Sequence, residues 1–299
     1  MNPQPASAPA PTPLSPPHAR ALAARVGAGV FIQGERHSFH HRAAGKLLPG
    51  CAIAPARTFA QLVAALEADP ARLGLMAVEN SVAGALLTNY LLLEEHHLVV
   101  LAETYLRISH CVLARPGATL GDVRTVESHP MALAQCRGLF RAHGHLVPTE
   151  TFDTAGAARA VAEGDDATRA ALAPAWCAAA YGLEVLAEAV EDNPHNWTRF
   201  VLVAHADSPP GGDKTSVAFS LPHEGGSLAR ALTALASTGA SLTKIQSLPL
   251  VGKPWQYRFF ADFVHPACAR PLLALEALGS RVADLIHLGT YAAGQHHQA

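Results

Sequence analysis

Short apolar runs alternate with stretches of helical periodicity over the first two thirds of the chain. Apolar runs bounded by turn-forming residues predict strands, and these are Val30–Ile32, Leu73–Val78, one or two strands within Leu98–Leu113, Thr125–Val126, Ala170–Leu172 and Val201–Val203. Between them the apolar spacing predicts helices over Thr58–Glu67, Ser81–Glu94, Pro130–Arg141, Thr154–Glu163 and a stretch that stops at Tyr181-Gly182. Strands that alternate with helices in this way are typical of layered α/β domains.

A second pattern follows the Pro- and Gly-rich segment 208–213, which has the composition of a linker. Its predicted elements are a strand over 215–221, a helix over 226–237, strands over 242–250 and 257–264, a helix over 271–279 and a strand over 282–288. The order βαββαβ in this short length is the ferredoxin-like arrangement.

The composition then divides the chain into five parts. The first residues are too rich in proline for helix or sheet. The predicted parts are a disordered Pro/Ala-rich arm over 1–25, an α/β domain over 26–206, a linker over 207–213, the ferredoxin-like domain over 214–292 and a tail over 293–299.

Charge and cysteine content narrow the class of protein. The chain has 299 residues, a formal net charge of −2 and an isoelectric point of about 6.8, so nothing favours binding to nucleic acid or to an anionic membrane. Its five cysteines are scattered and form no C-x-x-C pair, which indicates reduced thiols and a cytoplasmic protein. No apolar run reaches the ~18 residues of a membrane span, and the arm lacks the apolar core of a signal peptide.

Four predicted strands end in small polar residues that lead directly into a helix. The junctions are Gly34 with Ser38–His41, Glu79-Asn80-Ser81, Glu127-Ser128-His129-Pro130 and Asp153-Thr154. For any one of them, ordinary helix capping is the better explanation. Free N–H groups at helix starts also bind anions, so four such junctions favour an anion site in a cleft.

The pair Thr198-Arg199 strengthens that hypothesis, because it stands at the start of the apolar run Val201–Ala204. A buried arginine needs a partner, and its guanidinium fork suits a carboxylate. A structural ion pair is the alternative explanation for an isolated Thr-Arg pair.

Histidine and cysteine give no further site. His37 and His41 have the spacing of a metal pair on a helix, but they equally fit a loop and a cap, and no third ligand is evident, so no metal is expected. Cys136 is expected inside a helix as a packing residue rather than as a nucleophile.

Taken together, the motifs resemble those of prephenate dehydratase with a C-terminal ACT regulatory domain, over about Val26 to Tyr291. They occur in this order: Ser38-Phe39-x-His41-x-Ala43-Ala44, Val78-Glu79-Asn80-Ser81-x-x-Gly84, Ser128-His129-Pro130-x-Ala132-Leu133-x-Gln135-Cys136, Asp153-Thr154-Ala155, Tyr181-Gly182-Leu183-x-Val185-Leu186, Asn196-x-Thr198-Arg199-Phe200, Lys214-Thr215-Ser216, Leu242-Thr243-Lys244-Ile245-Gln246-Ser247-x-Pro249 and Pro254-Trp255-x-Tyr257.

The resemblance implies a fold and an activity. The fold would be a two-lobed α/β domain like that of periplasmic binding proteins, followed by the ferredoxin-like ACT domain. The activity would be the decarboxylating dehydration of prephenate to phenylpyruvate in L-phenylalanine biosynthesis, with feedback by L-phenylalanine. No cofactor is implied, and pairing of ACT domains makes a homodimer or homotetramer the expected assembly.

The resemblance also implies site residues. Catalytic candidates are Thr198, Glu79, Asn80 and Ser81. A threonine hydroxyl is a weak acid, so Thr198 is expected to donate a hydrogen bond to the leaving oxygen, while the proton donor is open, with Glu79 as the hypothesis if burial favours its protonated form. Substrate-binding candidates are Ser38, His41, Ser128, His129, Gln135, Thr154, Arg199 and Phe200. Effector-binding candidates are Gly226, Ser227, Leu228, Leu242, Thr243, Gln246, Ser247, Leu248 and Pro249.

The chain departs from the family pattern at several of its positions. His37 stands where the family usually has Gly, His40 replaces a Ser, and Met131 replaces a Gln. The usual Glu-Ser-Arg-Pro reads Gln246-Ser247-Leu248-Pro249, and the usual Gly-Ala-Leu reads Gly226-Ser227-Leu228. These changes put phenylalanine binding in question more than they do catalysis.

Two other functions remain open from the sequence. Arogenate dehydratase performs the same chemistry on the amino analogue of prephenate. A non-catalytic phenylalanine sensor or anion-binding protein would use the same two lobes without turnover, although retention of Thr198, Arg199, Glu79 and Asn80 counts against it.

Overall fold

The computed structural model describes residues 27, 29–205, 211–250, 252–265 and 271–294, together with the backbone of 296–297. The arm expected over 1–25 and part of the expected linker and tail lie outside these residues. The described chain divides into a larger unit, which contains 27–98, 104–205 and 296–297, and a smaller unit, which contains 99–103 and 211–294. No helix of the described residues has both the length and the apolar character that crossing a membrane requires.

The strands and helices follow the predicted alternation. The strands are β1 (Val30–Gln33), β2 (Ile53–Ala56), β3 (Leu73–Asn80), β4 (Gly84–Ala85), β5 (Val99–Arg107), β6 (Cys111–Ala114), β7 (Thr125–Ser128), β8 (Val147–Glu150), β9 (Arg169–Ala173), β10 (Glu184–Ala187), β11 (Trp197–Ala204), β12 (Lys214–Ser220), β13 (Ser241–Pro249), β14 (Tyr257–Val264), β15 (Asp284–Tyr291) and β16 (His296–His297). The helices are α1 (Phe39–Leu47), α2 (Phe59–Ala68), α3 (Leu87–Glu95), α4 (Pro130–Ala134), α5 (Arg137–Ala142), α6 (Thr154–Glu163), α7 (Trp176–Tyr181), α8 (Ser227–Ala236) and α9 (Pro271–Gly279).

The larger unit contains two sheets, each with its own helices. The first has the order β16-β5-β11-β3-β1-β2, with β4 paired to β3. Strand β1 runs parallel to β2 and β3, whereas β11 runs antiparallel to β3 and places Thr198 opposite Asn80. The second sheet has the order β10-β6-β9-β7-β8. The predicted α/β class, with two lobes, is therefore confirmed.

The central strands β6 and β9 of the second sheet are covered on both faces, which explains why they read as continuous apolar runs. Along β6, Cys111 and Leu113 pack into one core cluster while Val112 and Ala114 pack into another. This alternation is the two-residue period of a strand. Helices α6 and α7 contribute to the first cluster, and α4 and α5 contribute to the second.

The smaller unit has the predicted order βαββαβ. Its sheet is β13-β14-β12-β15, and all three strand pairs are antiparallel. Phe219, Phe263 and Leu278 are buried in a core that the sheet forms with α8 and α9. The ferredoxin-like prediction is confirmed.

The helix predicted over Ser81–Glu94 begins only at Leu87. The Asn80 side chain accepts hydrogen bonds from the backbone of Val82 and Ala83 at 3.0 and 2.8 Å, which folds the chain into a turn. Gly84 then takes a positive φ of 86°, and β4 pairs back onto β3. A side chain that bonds its own following backbone competes with helix formation.

The helix predicted over Pro130–Arg141 is broken at Gln135 and Cys136, so Cys136 lies between α4 and α5 rather than within a helix. The Asp192 carboxylate accepts from the backbone N–H groups of Arg137 and Gly138 at 3.0 and 2.8 Å. An acceptor from a distant segment therefore caps the start of α5. Cys136 is fully buried, in keeping with its expected packing role.

Candidate active site

A cavity of about 440 Å³ lies between the two lobes of the larger unit. Strands β1, β3 and β11 of the first sheet line it, together with loops and helix starts of the second lobe, and much of the lining is apolar. The expected site residues that line it are Ser38, Asn80, His129, Gln135, Thr154, Thr198 and Phe200. The structure thus brings together seven positions, from Ser38 to Phe200, that lie far apart in the sequence.

Three helices of nine or ten residues begin at this cavity. Ser38 caps α1 by accepting from the His41 backbone at 3.3 Å, Thr58 caps α2 at 3.1 Å, and Asp153 caps α6 at 2.7 Å. All three capping residues line the cavity. The positive ends of three helices therefore converge on one space, which favours a negatively charged ligand.

Thr198 is held by Asn80 in a defined hydrogen-bond direction. The Asn80 side-chain oxygen is occupied by two backbone N–H groups, so its amide nitrogen must be the group that faces Asn196 and Thr198, at 2.7 and 2.9 Å. Because Asn80 donates to Thr198 Oγ1, the Thr198 hydroxyl accepts this bond and its own hydrogen remains for another acceptor.

The same chain of amides continues to His110. Asn196 accepts from Asn80 through its oxygen and donates to Gln135 Oε1 at 2.9 Å. The Gln135 side chain is also hydrogen-bonded to His110, and this bond raises the pKa of the ring against the larger, lowering effect of burial. Among the described residues Nδ1 of His110 has no hydrogen-bond partner.

His110 is a site residue that the sequence analysis missed. It lines the cavity and is 2% exposed. It stands in the connection between β5 and β6, where the local pattern shows only the approach to an apolar strand. The signal available in the sequence was a histidine directly before the apolar run Cys111–Ala114, and that signal is weak by itself.

Burial makes the cavity histidines poor bases. It lowers the pKa of His40 to about 3 and that of His110 to about 4, and it also lowers the pKa of His129. His40, where the family usually has Ser, packs edge-on against Phe200 with ring centroids 5.0 Å apart. Burial raises the pKa of Asp153, although the hydrogen bond from Gly156 opposes the shift.

Arg199 and Glu79 are not among the residues that line this cavity, and their expected contact with substrate stays a prediction. Thr198 and Phe200 line the cavity, so strand alternation turns Arg199 away from it. Its Nη1 lies 3.7 Å from Glu79 Oε2 and 3.3 Å from the Tyr90 hydroxyl, and the side chain is 3% exposed. The alternative explanation, a structural ion pair, describes this geometry.

Three other expected residues, Ser81, Ser128 and His41, also lie outside the cavity. Ser81 Oγ donates to the His195 carbonyl at 2.9 Å and accepts from the Trp197 backbone at 2.9 Å. Ser128 is fully buried and donates to the Leu172 carbonyl at 2.5 Å. These bonds tie together the strands that carry the site, and a contact of either serine with substrate stays a prediction.

His41 lines a different cavity, with His37 and Trp176. His37 lies before α1 at a positive φ of 67°, so the two histidines are not on one helix. The His37 N–H donates to His41 Nδ1 at 2.7 Å, and the Trp176 indole donates to the His37 carbonyl at 2.7 Å. These bonds hold His37 in a left-handed conformation, which glycine adopts most readily. Within the described ranges, no group of three or more His, Cys, Asp or Glu side chains could hold a metal.

The expected effector residues occupy two neighbouring segments of the smaller unit. Gly226 precedes α8 with a positive φ of 78°, and Ser227 and Leu228 begin that helix. The others lie on β13, which is an edge strand, and α8 packs against this strand. Leu242 is 36% exposed, and the Thr243 hydroxyl donates to the Asp262 carbonyl at 3.1 Å.

Comparison with known proteins identifies the family. Residues 30–208 match the family model described as prephenate dehydratase. The chain belongs to this family. The resemblance read from the motifs is thereby confirmed for the prephenate dehydratase domain, and the chain is a member of a family of lyases.

Relatives of this prephenate dehydratase family member include enzymes with more than one named activity. One from Komagataeibacter europaeus, named bifunctional N-acyl-homoserine lactone acylase/prephenate dehydratase, is 36% identical over 88% of this chain and 95% of its own length. A chloroplastic arogenate dehydratase/prephenate dehydratase from Arabidopsis thaliana is 37% identical over 78% of this chain and 64% of its own length. The crystal structure of prephenate dehydratase from Arthrobacter aurescens in complex with L-Phe has a TM-score of 0.78 and 29% identity, and covers 89% of this chain and 90% of the other.

The buried His110 predicts acid-sensitive folding. Its folded pKa, about 4, lies below the ordinary value of 6.5, so between these values the unfolded chain binds a proton that the folded chain does not. Stability is therefore complete above pH 6.5 and falls as the pH drops, by about 3 kcal/mol at pH 4 from this residue.

Urea unfolding at pH 4 to 7 measures this effect. In His110→Gln the fall in unfolding free energy between pH 7 and pH 4 should be smaller than in the wild type by that amount. The same substitution at the exposed His145 should leave the fall unchanged. Equal slopes in H110Q and the wild type would show that His110 accepts a proton in the folded state.

Proposed function

We propose that this chain converts prephenate to phenylpyruvate in the cavity between its two lobes. The observation that carries the proposal is the fixed orientation of Asn80, which donates to Thr198 Oγ1 at 2.9 Å. The Thr198 hydroxyl hydrogen is thereby left for an oxygen in the cavity. A donor prepared in this way stabilises charge that develops on a leaving oxygen.

The reaction needs little covalent chemistry from the protein. The bond between the ring and its carboxylate breaks, its electron pair enters the ring, and the ring hydroxyl leaves as the ring becomes aromatic. The products are carbon dioxide, phenylpyruvate and hydroxide, which takes up one proton to become water. Thr198 donates a hydrogen bond to this departing oxygen while negative charge develops on it.

The proton comes from solvent water in this scheme. Glu79, the donor expected from the sequence, lies outside the cavity. The lining histidines His40, His110 and His129 have lowered pKa values, so they are neutral at pH 7 and are weak proton reservoirs. Water that enters the open cleft can supply the proton without any protein acid.

The starts of α1, α2 and α6 supply the positive potential that a substrate with two carboxylates needs. The ring carboxylate loses its charge in the reaction, so strong binding of that group would stabilise the ground state more than the transition state. Apolar residues such as Phe200, Ile108 and Leu86 line the same cavity. An apolar surrounding for the ring carboxylate promotes its loss as neutral carbon dioxide.

The smaller unit, in this proposal, is an ACT domain that binds L-phenylalanine in a cytoplasmic homodimer or homotetramer. Support comes from the ferredoxin-like fold and from the contact between α8 and β13, which carry the expected effector residues. The Arthrobacter relative was solved with L-Phe. The four described cysteines are free thiols, which suits a reducing compartment.

Incubation of the purified chain with prephenate tests both parts. Phenylpyruvate should form at neutral pH, as measured by its absorbance in alkali, and saturating L-phenylalanine should suppress its formation and raise the melting temperature. D-phenylalanine is the control and should do neither. Turnover without suppression would overturn the effector proposal alone, whereas absence of turnover with prephenate would overturn the catalytic one.

A further inference from the structure

Arg57 carries the only full positive charge at neutral pH among the described residues that line the cavity. The other lining groups that could carry one are His40, His110 and His129, and burial lowers the pKa of each. Arg199, which the sequence suggested for this role, lies on the other face of β11. A substrate with two carboxylates therefore meets one guanidinium in this cavity.

The backbone of Arg57 is held on both sides. The residue follows β2 and precedes Thr58, the capping residue of α2. Its N–H donates to Gln61 Oε1 at 3.0 Å, and its carbonyl accepts from Gln33 Nε2 at 3.5 Å. These bonds fix the start of the side chain at the rim of the cavity, although the side chain itself is exposed.

The guanidinium is positioned by an aromatic ring and not by a carboxylate. Its central carbon lies 5.5 Å from the centre of the Phe152 ring, so a residue before α6 in the second lobe places a cation from the first lobe. Within the described part of the chain Arg57 has no ion pair. By contrast, Arg159 donates to both oxygens of Glu35 at 2.8 Å. A cation–π contact orients a guanidinium without neutralising its charge, so the Arg57 fork remains available to a ligand.

We propose that Arg57 binds the side-chain carboxylate of the substrate and makes the cavity prefer the 2-oxo acid, prephenate, over the 2-amino acid, arogenate. This inference rests on the proposed function and adds its substrate preference. A guanidinium fork binds a carboxylate through two parallel hydrogen bonds. In the amino analogue an ammonium group stands beside that carboxylate and is repelled by the same cation.

Of the two carboxylates of the substrate, the side-chain carboxylate is the better partner for Arg57. The ring carboxylate departs as neutral carbon dioxide, so a cation on it would oppose the reaction, whereas the side-chain carboxylate keeps its charge throughout. Asp153, the carboxylate among the lining residues, already accepts from the Gly156 backbone at 2.7 Å. It therefore offers an ammonium group little compensation for the repulsion by Arg57.

Substitution of Arg57 tests the assignment through KM. In Arg57→Gln the KM for prephenate should rise about 10- to 100-fold, with kcat within about threefold, because the lost contact is equal in ground and transition states. The preference for prephenate over arogenate in kcat/KM should fall about tenfold. Arg57→Lys should be intermediate, since it keeps the charge but loses the fork.

Arg36→Gln is the matched control. Arg36 is also an exposed arginine of the first lobe, it does not line the substrate cavity, and its substitution should leave both KM values unchanged. The KM of the wild type should rise with salt more steeply than that of R57Q, because the screened charge is missing in the variant. If R57Q does not fold, R57K supplies the comparison.

Binding of phenylpyruvate by calorimetry separates this inference from the proposed function, because this product retains the side-chain carboxylate. R57Q should bind it about 10- to 100-fold more weakly than the wild type. If the wild type turned over neither substrate and yet showed this difference, the proposed function would fall and the carboxylate assignment would stand. Equal binding by R57Q and the wild type, or a loss in kcat with KM unchanged, would overturn the assignment.

Discussion

Thr198→Ala is expected to lower kcat for prephenate by about 10²- to 10³-fold, the usual cost of removing one donor to a developing oxyanion. The substitution deletes the hydroxyl that Asn80 orients at 2.9 Å. KM should change little, because the bond to the leaving oxygen strengthens only as that oxygen gains charge. Single-turnover measurements at saturating prephenate give kcat without interference from product release.

Thr198→Ser is the matched variant, because it keeps the hydroxyl and loses only a methyl group. It should retain most of the wild-type kcat. The melting temperatures of both variants should stay near that of the wild type, which excludes a collapse of β11 as the cause. A loss of only a few-fold in T198A, with the fold intact, would refute the role of Thr198 as donor.

In the sequence, the motifs at predicted helix starts indicated the residues that line the cavity more accurately than the charged residues did. Polar residues after Ile32, Val78 and Phe152 do stand where helices or turns begin, and the capping residues Ser38 and Asp153 line one cavity. Such signals are local, because a cap bonds the backbone two or three residues away. The residue types and their positions along the chain were therefore enough to identify these capping residues.

Arg199 does not line the cavity with Thr198, and the reason is also local. Neighbouring residues of a strand point to opposite faces, so Thr198 and Arg199 could not both face the cavity. Adjacency in the sequence suggested one site for both residues, whereas the structure places them on opposite faces of the sheet. Applying the strand period to the motif would have assigned Arg199 to the face of Glu79, which pairs with it across β3 and β11.

His110 and Arg57 could not be found from sequence patterns, because their roles depend on distant partners. His110 is hydrogen-bonded to the Gln135 side chain, and Arg57 is placed by Phe152 from the other lobe. The break between α4 and α5 has the same origin, since its cap is Asp192. Contacts between residues far apart in the chain carry no periodic signal, so they become visible only in the folded structure.

A second large effect is expected in the smaller unit, where Lys214→Met should lower the free energy of unfolding by about 3–5 kcal/mol. Lys214 Nζ lies 2.9 and 3.0 Å from the two oxygens of Glu103. The two side chains are only 6% and 1% exposed. Removing the lysine takes the counter-charge away from a buried carboxylate, which then depends on its remaining contacts, among them the Gly294 N–H at 2.9 Å.

Hydrogen exchange of peptides from β12 and β15 measures unfolding of this unit separately from the larger one, which matters because a chain with two units need not unfold in one step. The matched control is Lys253→Met, which removes an exposed lysine of the same unit and should change stability by less than about 0.5 kcal/mol.

The double variant Lys214→Met with Glu103→Leu distinguishes loss of an attraction from creation of an unpaired charge. With both charges removed, the desolvation penalty disappears together with the attraction, so the double variant should recover most of the stability that K214M loses. If the double variant were as unstable as K214M, packing around the lysine stem would be the larger contribution. A K214M variant as stable as the wild type would instead mean that water or a neighbouring group satisfies the Glu103 carboxylate once the lysine is gone.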